Sequence, residues 1–230
     1  MSWIITGAEK NPVDPYFSNV SLLLHGDGAN GSTTIVDSSP SPKTVTAFGN
    51  AQISTAQSKF GGSSIAFDGT GDYLTVPAGD AFNFGTLPFT IECYVWRKAG
   101  IAGNQNIFSQ RTATSGVTFV INTSNSIRAF FGAGFFSVIS PIAVPAETFV
   151  HVALTYPGFG GAFTLWMNGQ NVASSSTFNH VFEDGVAPFI GARTNTTENL
   201  NGYIDDLRIT KGVARYTSNF TPSTAPFPDF

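Results

Sequence analysis

Hydrophobic and polar residues alternate along most of the chain with a period of two, which is the pattern of half-buried β-strands. In residues 89–96 (FTIECYVW) the odd-numbered positions are apolar, and the even-numbered positions carry Thr90, Glu92, Tyr94 and Trp96. The same pattern predicts further strands at 20–24, 63–67, 73–76, 105–110, 117–122, 126–131, 149–155, 162–167, 171–174, 187–191 and 203–210. No segment longer than a couple of turns has helical periodicity, so the sequence predicts an all-β fold.

Turn residues separate these strands at short and regular intervals. Asn168-Gly169 is a hairpin signal, and Asp68-Gly-Thr-Gly-Asp72 predicts a second hairpin between the strands at 63–67 and 73–76. Many short strands joined in this way indicate two packed antiparallel sheets. Residues 20–212 contain no internal repeat and no linker, and we predict that they form one domain.

The two ends of the chain differ from this central part. Residues 1–19 include Pro12 and Pro15 and resemble an extended arm, whereas the Pro- and aromatic-rich residues 213–230 resemble a strap laid over the domain. Two interpretations remain open. Both ends pack on the surface of their own domain, or the arm docks onto a partner chain.

Composition narrows the function classes. The chain has 230 residues, of which 42% are hydrophobic and 11% charged, and this excludes a disordered polypeptide. Its 11 Lys and Arg residues against 15 Asp and Glu residues argue against a nucleic-acid partner, which needs clustered basic side chains. One Cys excludes an internal disulfide and a Cys-based zinc site. Residues 1–10 show no signal peptide, and no apolar run predicts a membrane helix.

Five strings of sequence, in this order along the chain, resemble the concanavalin A-like, laminin-G-type jelly-roll domains. They are AFDGTGDYL at 66–74, FTIECYVW at 89–96, TFVHVALT at 148–155, TLWMNG at 164–169 and GYIDDLRI at 202–209. The resemblance covers about residues 20–212. It implies a sandwich of two antiparallel sheets.

The closing string TKGVARYTSNFTP at 210–222 is similar to the tail of laminin-G-like domains in virion proteins of tailed bacteriophages. This narrower resemblance implies a non-enzymatic structural protein of the virion, either a capsid decoration protein or part of the tail or baseplate. We then expect assembly in the host cytoplasm, contacts to other virion proteins through residues 1–19, and a homo-oligomer. Phe135-Phe136 is a candidate subunit contact, with a buried strand as the alternative.

Because the same family includes glycoside hydrolases, catalysis has to be considered. Glycoside hydrolysis needs two carboxyl groups facing one cleft, and in the hydrolases of this family one strand carries them as Glu-x-Asp-x-(x)-Glu. None of the five glutamates, Glu9, Glu92, Glu147, Glu183 and Glu198, belongs to such a motif. No Gly-x-Ser-x-Gly string is present either. We predict no enzymatic activity and expect Glu92 to pair with Arg208 between two strands.

The acidic residues of the last strand raise the question of a metal. In the predicted register Asp205 shares the core face with Leu207 and Ile209, and a carboxylate there needs compensation. The family resemblance implies a structural calcium ion, held by Asp205 and by backbone carbonyls near Leu24, His25 and Gly26. The alternative is that Asp205 caps the backbone of this N-terminal loop unaided. The three histidines lie in separate segments, so we predict no zinc site.

Carbohydrate binding is the second function to consider. The predicted open face of the sheet carries Tyr94, Trp96, His151 and Trp166, and its rim includes residues 100–106 and 193–201 with Asn195, Glu198 and Asn199. Aromatic rings and amides suit the C–H surfaces and hydroxyls of sugars, although Trp96 and Trp166 are equally suited to packing. The alternative function is therefore a carbohydrate-binding adhesin for host or environmental glycans, and a glycoside hydrolase comes third.

Overall fold

The computed structural model describes residues 13–111, 115–132, 136–182, 186–194 and 197–230. Two single-turn 3₁₀-helices lie at Phe17–Asn19 and Asp80–Phe82. The strands are β1 Val20–Leu24, β2 Thr46–Phe48, β3 Gln52–Ser54, β4 Ser64–Asp68, β5 Tyr73–Thr75, β6 Phe89–Arg97, β7 Gln105–Arg111, β8 Gly116–Ile121, β9 Ser126–Phe131, β10 Phe136–Ala143, β11 Phe149–Tyr156, β12 Ala162–Met167, β13 Gln170–Thr177, β14 Phe189–Ile190 and β15 Asn201–Lys211. No described helix is long and apolar enough to span a membrane.

These strands form two antiparallel sheets that pack face to face. The first has the order β13-β12-β11-β6-β15-β4-β3, with β1 also paired to β15, and the second has the order β10-β9-β8-β7-β14-β5-β2. The predicted all-β jelly-roll sandwich is confirmed. The strands β2, β3 and β10 were not predicted. β2 and β3 have only three residues each and lack a hairpin signal like the one beside β5, and β10 contains Pro141, which argues against a strand at the level of sequence.

Aromatic residues from both sheets meet in the core. The rings of Phe131 on β9 and Phe163 on β12 stack with centroids 3.6 Å apart, and Tyr156 on β11 stacks on Phe163 at 4.2 Å. Each fully buried side chain of this size contributes roughly 1.5–3 kcal/mol to the free energy of folding. Phe136 belongs to this region, because its half-buried ring stacks on Phe178 at 4.3 Å. It therefore packs on its own domain, and Phe135 lies outside the described residues.

The turn at Asn168-Gly169 forms the predicted hairpin between β12 and β13, with both residues at positive φ as a type I′ turn requires. The second predicted hairpin is wrong. The segment Asp68–Asp72 leads from β4 in the first sheet to β5 in the second, so it changes sheets and pairs no strands. The segment is held by the Asp72 carboxylate instead of by strand pairing. This carboxylate accepts hydrogen bonds from the backbone N–H groups of Asp68 and Asn50 at 2.7 and 2.5 Å.

The predicted register of β15 is also wrong at one point. A bulge falls between Asp205 and Arg208, and Asp206 adopts a left-handed conformation with φ of 53°. Asp205 therefore lies opposite Tyr94 on the outer face of the sheet, not on the core face with Leu207. The bulge lies where the neighbour of β15 changes from β4 to β1.

Both chain ends that the structure describes pack on the domain. Residues 213–230, which we call the strap, run without regular secondary structure over the outer face of the first sheet. The backbone N–H of Asp14 donates to the carbonyl of Phe230 at 3.1 Å, and the Asp14 side chain is buried. From Asp14 onward, the predicted arm is thus part of the domain. Residues 1–12 lie outside the described part of the chain.

Candidate functional site

A groove crosses one end of the outer face of the first sheet. Strand register aligns four side chains across it: Gln52 on β3, Ala66 on β4, Tyr203 on β15 and Trp96 on β6. Because the side chain of Ala66 is small, it leaves space between its larger neighbours. The resulting cavity has a volume of about 500 Å³. Its lining residues are Asn50, Gln52, Ala66, Phe67, Asp68, Asp72, Trp96, Lys98, Asn201, Gly202 and Tyr203.

The wall of this groove is an aromatic pair. The half-buried rings of Trp96 and Tyr203 meet edge to face, with centroids 5.2 Å apart and an angle of 81° between their planes. They can approach because β15 has Gly202 beside them. A Cβ atom at Gly202 would lie 2.0 Å from the carbonyl oxygen of Trp96, so no larger residue fits there without moving the backbone.

Several polar groups of the groove are available to a ligand. Within the described residues, no hydrogen bond is formed by the indole N–H of Trp96, the hydroxyl of Tyr203, the side-chain amides of Gln52 and Asn201, or the ammonium group of Lys98. Together they offer both donors and acceptors beside the aromatic pair. Water satisfies these groups when the groove is empty, and a hydroxyl-rich ligand can replace that water.

The opposite wall is held rigidly by Asp68 and Asp72. The Asp68 carboxylate accepts hydrogen bonds from the backbone N–H of Thr70 at 2.7 Å and from the side-chain amide of Asn50 at 3.1 Å. Asp72 is buried, and burial raises the pKa of its carboxyl above the usual range in spite of its backbone hydrogen bonds. The string DGTGD therefore shapes the groove through its own internal hydrogen bonds.

A second groove of about 380 Å³ adjoins the first and is lined largely by the predicted rim, including Glu198 and Asn199, two of the three rim residues named as ligand candidates. The Glu198 carboxylate accepts hydrogen bonds from the amides of Asn106 at 2.7 Å and Asn104 at 3.3 Å, and it pairs with Arg193 at 3.1 Å. Asn199 donates its amide to the carbonyl of Asp72 at 3.1 Å. Glu198 and Asn199 are therefore mostly engaged within the protein. Asn195, the third predicted rim residue, lies outside the described residues.

The prediction of an open sheet face is wrong for Tyr94, His151 and Trp166. All three side chains are buried, because the strap covers them. The hydroxyl of Tyr94 donates to the carbonyl of Ser223 in the strap, and the ring of Phe220 lies 5.6 Å from His151 and 5.7 Å from Trp166. The strap and the aromatic face are packing partners, and their separation in sequence hides this from the local pattern.

Glu92 and Arg208 form the expected pair at the centre of this covered region. Nε and Nη2 of Arg208 donate to Oε1 of Glu92 at 3.0 and 2.8 Å, while Oε2 accepts from His151 at 3.1 Å and from the Tyr216 hydroxyl at 2.6 Å. Burial alone would raise the pKa of Glu92, but the charge of Arg208 and the hydrogen bond from His151 outweigh it and hold the pKa well below its usual range.

Asp14 completes the charge balance of the covered region. Its carboxylate accepts hydrogen bonds from Arg208 at 3.2 Å and from both terminal nitrogens of Arg215 at 2.9 and 2.7 Å. Two buried carboxylates thus meet two buried guanidinium groups, one of which the strap contributes. Full pairing is what allows charges to remain ionised in the interior.

Asp205 and Asp206 occupy the gap in the ladder of β15. Asp205 Oδ2 accepts the backbone N–H groups of Lys59 and Phe60 at 2.6 and 3.2 Å, while Asp206 pairs with His25 at 2.5 Å and accepts the backbone N–H of Phe227 at 2.6 Å. Burial and the neighbouring acidic side chains raise the pKa of Asp205 to about 7. The two aspartates therefore connect β15 to a loop and to the strap.

This arrangement does not fit the predicted calcium site. A calcium ion needs six to eight oxygen ligands, whereas Asp205 Oδ2 faces two N–H donors from residues 59 and 60. The other oxygen, Oδ1, is buried and has no hydrogen-bond partner among the described residues. Near the predicted carbonyl ligands, the backbone oxygen of Gly26 accepts the Ser63 hydroxyl at 3.0 Å and that of His25 faces the N–H of Asp206. The described residues contain no group of three or more His, Cys, Asp or Glu side chains that could hold a metal.

Comparison with known proteins agrees with this architecture. Residues 68–215 match the family model described as the concanavalin A-like lectin/glucanases superfamily. Domain 4 of AbnA, an extracellular GH43 arabinanase from Geobacillus stearothermophilus solved with arabinotriose, is similar with a TM-score of 0.64 and 17% identity, over 84% of this chain and 93% of that one. No curated protein matches the sequence.

Toxin binding domains are similar as well. The binding domain of Paraclostridial Mosquitocidal Protein 1 gives a TM-score of 0.68 at 15% identity, over 86% of this chain and 50% of that one. The ligand-binding domain of botulinum neurotoxin serotype D, solved with N-acetylneuraminic acid, gives 0.67 at 17% identity, over 86% and 49%. The chain spans about half the length of these two domains. At such identities the similarity shows the fold alone.

Proposed function

Because the chain belongs to the concanavalin A-like lectin/glucanase superfamily, we propose that it binds carbohydrate through the groove between Trp96, Tyr203 and Gln52. The observation that supports this proposal is the set of unpartnered polar groups beside the aromatic pair. Ligand sites typically combine apolar walls with a few polar groups that fix orientation, and this groove has that composition. The arabinanase domain solved with arabinotriose and the toxin domain solved with N-acetylneuraminic acid are consistent with such a role.

The chemistry of the groove suits a sugar ring. The C–H face of the ring packs against Trp96 or Tyr203, while its hydroxyls exchange hydrogen bonds with the amides of Gln52 and Asn201. Each such hydrogen bond contributes about 0.5–1.5 kcal/mol after the loss of water is included. A few of them with one stacking contact give the modest affinity of a surface-recognition module.

Glycan-array binding by matched tryptophan variants tests the proposal. Trp96→Ala should abolish binding without a large loss of stability, since Trp96 is only half-buried. Trp166→Phe is the control, because Trp166 lies under the strap and donates to Thr155 at 2.8 Å. This control should lower the melting temperature and leave binding intact. Unchanged binding by folded Trp96→Ala would exclude the groove.

We propose further that the role is binding and not catalysis. The Glu92 carboxylate, the strongest catalytic candidate by its place on a strand, is enclosed by Arg208, His151 and Tyr216. A general acid or nucleophile must reach its substrate, and this group has no route to one. Turnover of any polysaccharide that the protein binds, lost in Glu92→Gln, would contradict the proposal.

A second proposal is that the domain works in a virion, as a capsid decoration protein or a tail or baseplate component. The supporting observation is the closing string at 210–222, which resembles phage virion domains. Its residues form the strap contacts, such as those of Arg215 with Asp14 and of Tyr216 with Glu92. In this chain the string therefore holds the strap on the sheet.

Deletion of residues 2–12 tests this structural role. The deletion must stop before Asp14, which is bound to Arg208 and Arg215. We expect the deleted protein to fold, to lose its contacts to other virion proteins and to be missing from purified particles. Light scattering of the two proteins then shows whether the homo-oligomer needs the same segment. Normal incorporation into particles would contradict a docking role for the arm.

A further inference from the structure

We propose that the groove receives an oligosaccharide of at least two units and not a single sugar. One unit lies against Trp96 and Tyr203, and the chain continues over Asp68 and Asn201 into the second groove, beside Asn104. This inference rests on the proposed carbohydrate-binding function and specifies its substrate class. If the aromatic pair alone recognised the sugar, the second groove would have no role, and this inference gives it one.

The two grooves adjoin each other, since both are lined by Asp68 and Asn201. These residues face each other across the ladder between β4 and β15. Asn201 lies two residues along β15 from Tyr203, a distance of about 7 Å, and β4 lies about 10 Å from β6 across two strand spacings. The path from the aromatic pair to the junction is thus longer than one sugar ring.

The junction itself has the properties of a binding surface. The Asn201 side-chain amide has no hydrogen-bond partner among the described residues, and Asp68 is exposed. Gly69 keeps the junction open, because a Cβ atom there would lie 2.9 Å from the Asn201 side chain. A glycosidic linkage and its flanking hydroxyls can therefore pass between the two residues and hydrogen-bond to both.

The two grooves differ in what they offer a ligand. The first presents unpartnered polar groups and an aromatic wall, whereas in the second the side chains of Asn104, Glu198 and Asn199 already form hydrogen bonds within the protein. The second groove adds the half-buried side chain of Ile101 and the exposed residue Ala102 as a lip. The first groove then determines which unit is recognised, and the second raises affinity by contact with the next one.

Affinity measured against chain length tests the inference. The probes are arabinose, xylose and glucose, each with its homologous oligosaccharides of up to about four units, titrated calorimetrically into the full chain. For the sugar type that binds, we expect affinity to rise roughly tenfold from one unit to three and then to stay constant. Such a plateau marks the end of the second groove.

Two substitutions to tryptophan test whether the second groove supplies the gain in affinity. Ala102→Trp fills the second groove from its lip and should reduce trisaccharide affinity to the monosaccharide value, without changing monosaccharide binding. Ser176→Trp is the matched control, since Ser176 is exposed on β13 at the opposite edge of the same sheet. It should keep the full gain.

The outcomes separate the two proposals. Equal affinity for one unit and three units would overturn the inference and leave the proposed function standing. A gain that survives Ala102→Trp would overturn the path through the second groove. If no sugar in the series and no glycan on the array binds to the folded protein, both proposals fail together.

Discussion

The outer face of the first sheet contains two regions of similar composition, of which one is covered by the strap and the other is open. The covered region around Glu92 and the groove around Trp96 both combine aromatic rings with charged or amide side chains on β6 and β15. Under the strap the carboxylates of Glu92 and Asp14 are paired with Arg208 and Arg215, whereas at the groove several polar groups have no hydrogen-bond partner among the described residues. Coverage by the strap, and not residue type, separates the positions that are engaged within the protein from those that remain accessible.

The difference has a simple energetic origin. A charged group in the interior must be paired within the protein, because removing it from water costs far more than one hydrogen bond returns. The strap meets this need by bringing Arg215 and Tyr216 to the carboxylates that face it. At the groove the polar side chains can hydrogen-bond to water, so they need no partner within the protein.

Breaking the charge pairing of the covered region should have the largest effect. Arg208→Leu leaves Glu92 buried without its main counter-charge and takes one donor from Asp14, so we expect a loss of roughly 3–5 kcal/mol in the free energy of unfolding. Urea denaturation measures it. At the groove, Lys98→Leu is the comparison and should cost less than about 0.5 kcal/mol, as is usual for an exposed side chain. Similar losses for both variants would contradict the distinction.

Removing one strap contact should have a smaller effect. Tyr216→Phe deletes the hydroxyl that donates to Glu92 at 2.6 Å while keeping the ring stacked on Phe220. A hydrogen bond to a buried carboxylate is worth about 1.5–3 kcal/mol, and the unfolding free energy should fall by that amount. Tyr203→Phe, which loses an unpartnered hydroxyl at the groove, is the matched control and should leave stability unchanged.

The low pKa of Glu92 predicts how stability depends on pH. The folded state holds the pKa of this carboxyl below the 4.5 of an unperturbed glutamate. Its stabilising contribution is therefore present above that value and is lost as the pH falls further, since the unfolded chain then binds the proton first. Urea midpoints at about pH 6 and about pH 3 should differ more for the native protein than for Glu92→Gln. Equal differences would show that Glu92 is not ionised in the folded protein.

The smallest expected effect concerns Asp205. Its carboxylate accepts two backbone N–H groups, and an amide oxygen can accept them as well without the cost of burying a charge. Asp205→Asn should therefore be as stable as the native protein near neutral pH, within about 1 kcal/mol. EDTA should leave the melting temperature of both proteins unchanged. A calcium-dependent increase in melting temperature, lost in Asp205→Asn, would restore the predicted calcium site.

The alternation of apolar and polar residues along the chain determined a large part of the fold. The two faces of β6, the hairpin at Asn168-Gly169 and the two-sheet sandwich follow from period and turn chemistry, which are properties of neighbouring residues. The pairing of Glu92 with Arg208 followed once both side chains were placed on the same face. The same alternation places Trp96 on the outer face, beside Tyr203.

Only the tertiary structure decided the rest, because it depends on contacts between residues far apart in sequence. The bulge at Asp206 arises where β15 exchanges one neighbour for another, and the segment after β4 crosses to the other sheet. Neither event leaves a mark in the local alternation. The strap buried His151, and strand register brought Tyr203 beside Trp96 to complete the groove. The strap lies far from these strands in sequence, and the part of the outer face that it leaves uncovered is the part that stays open.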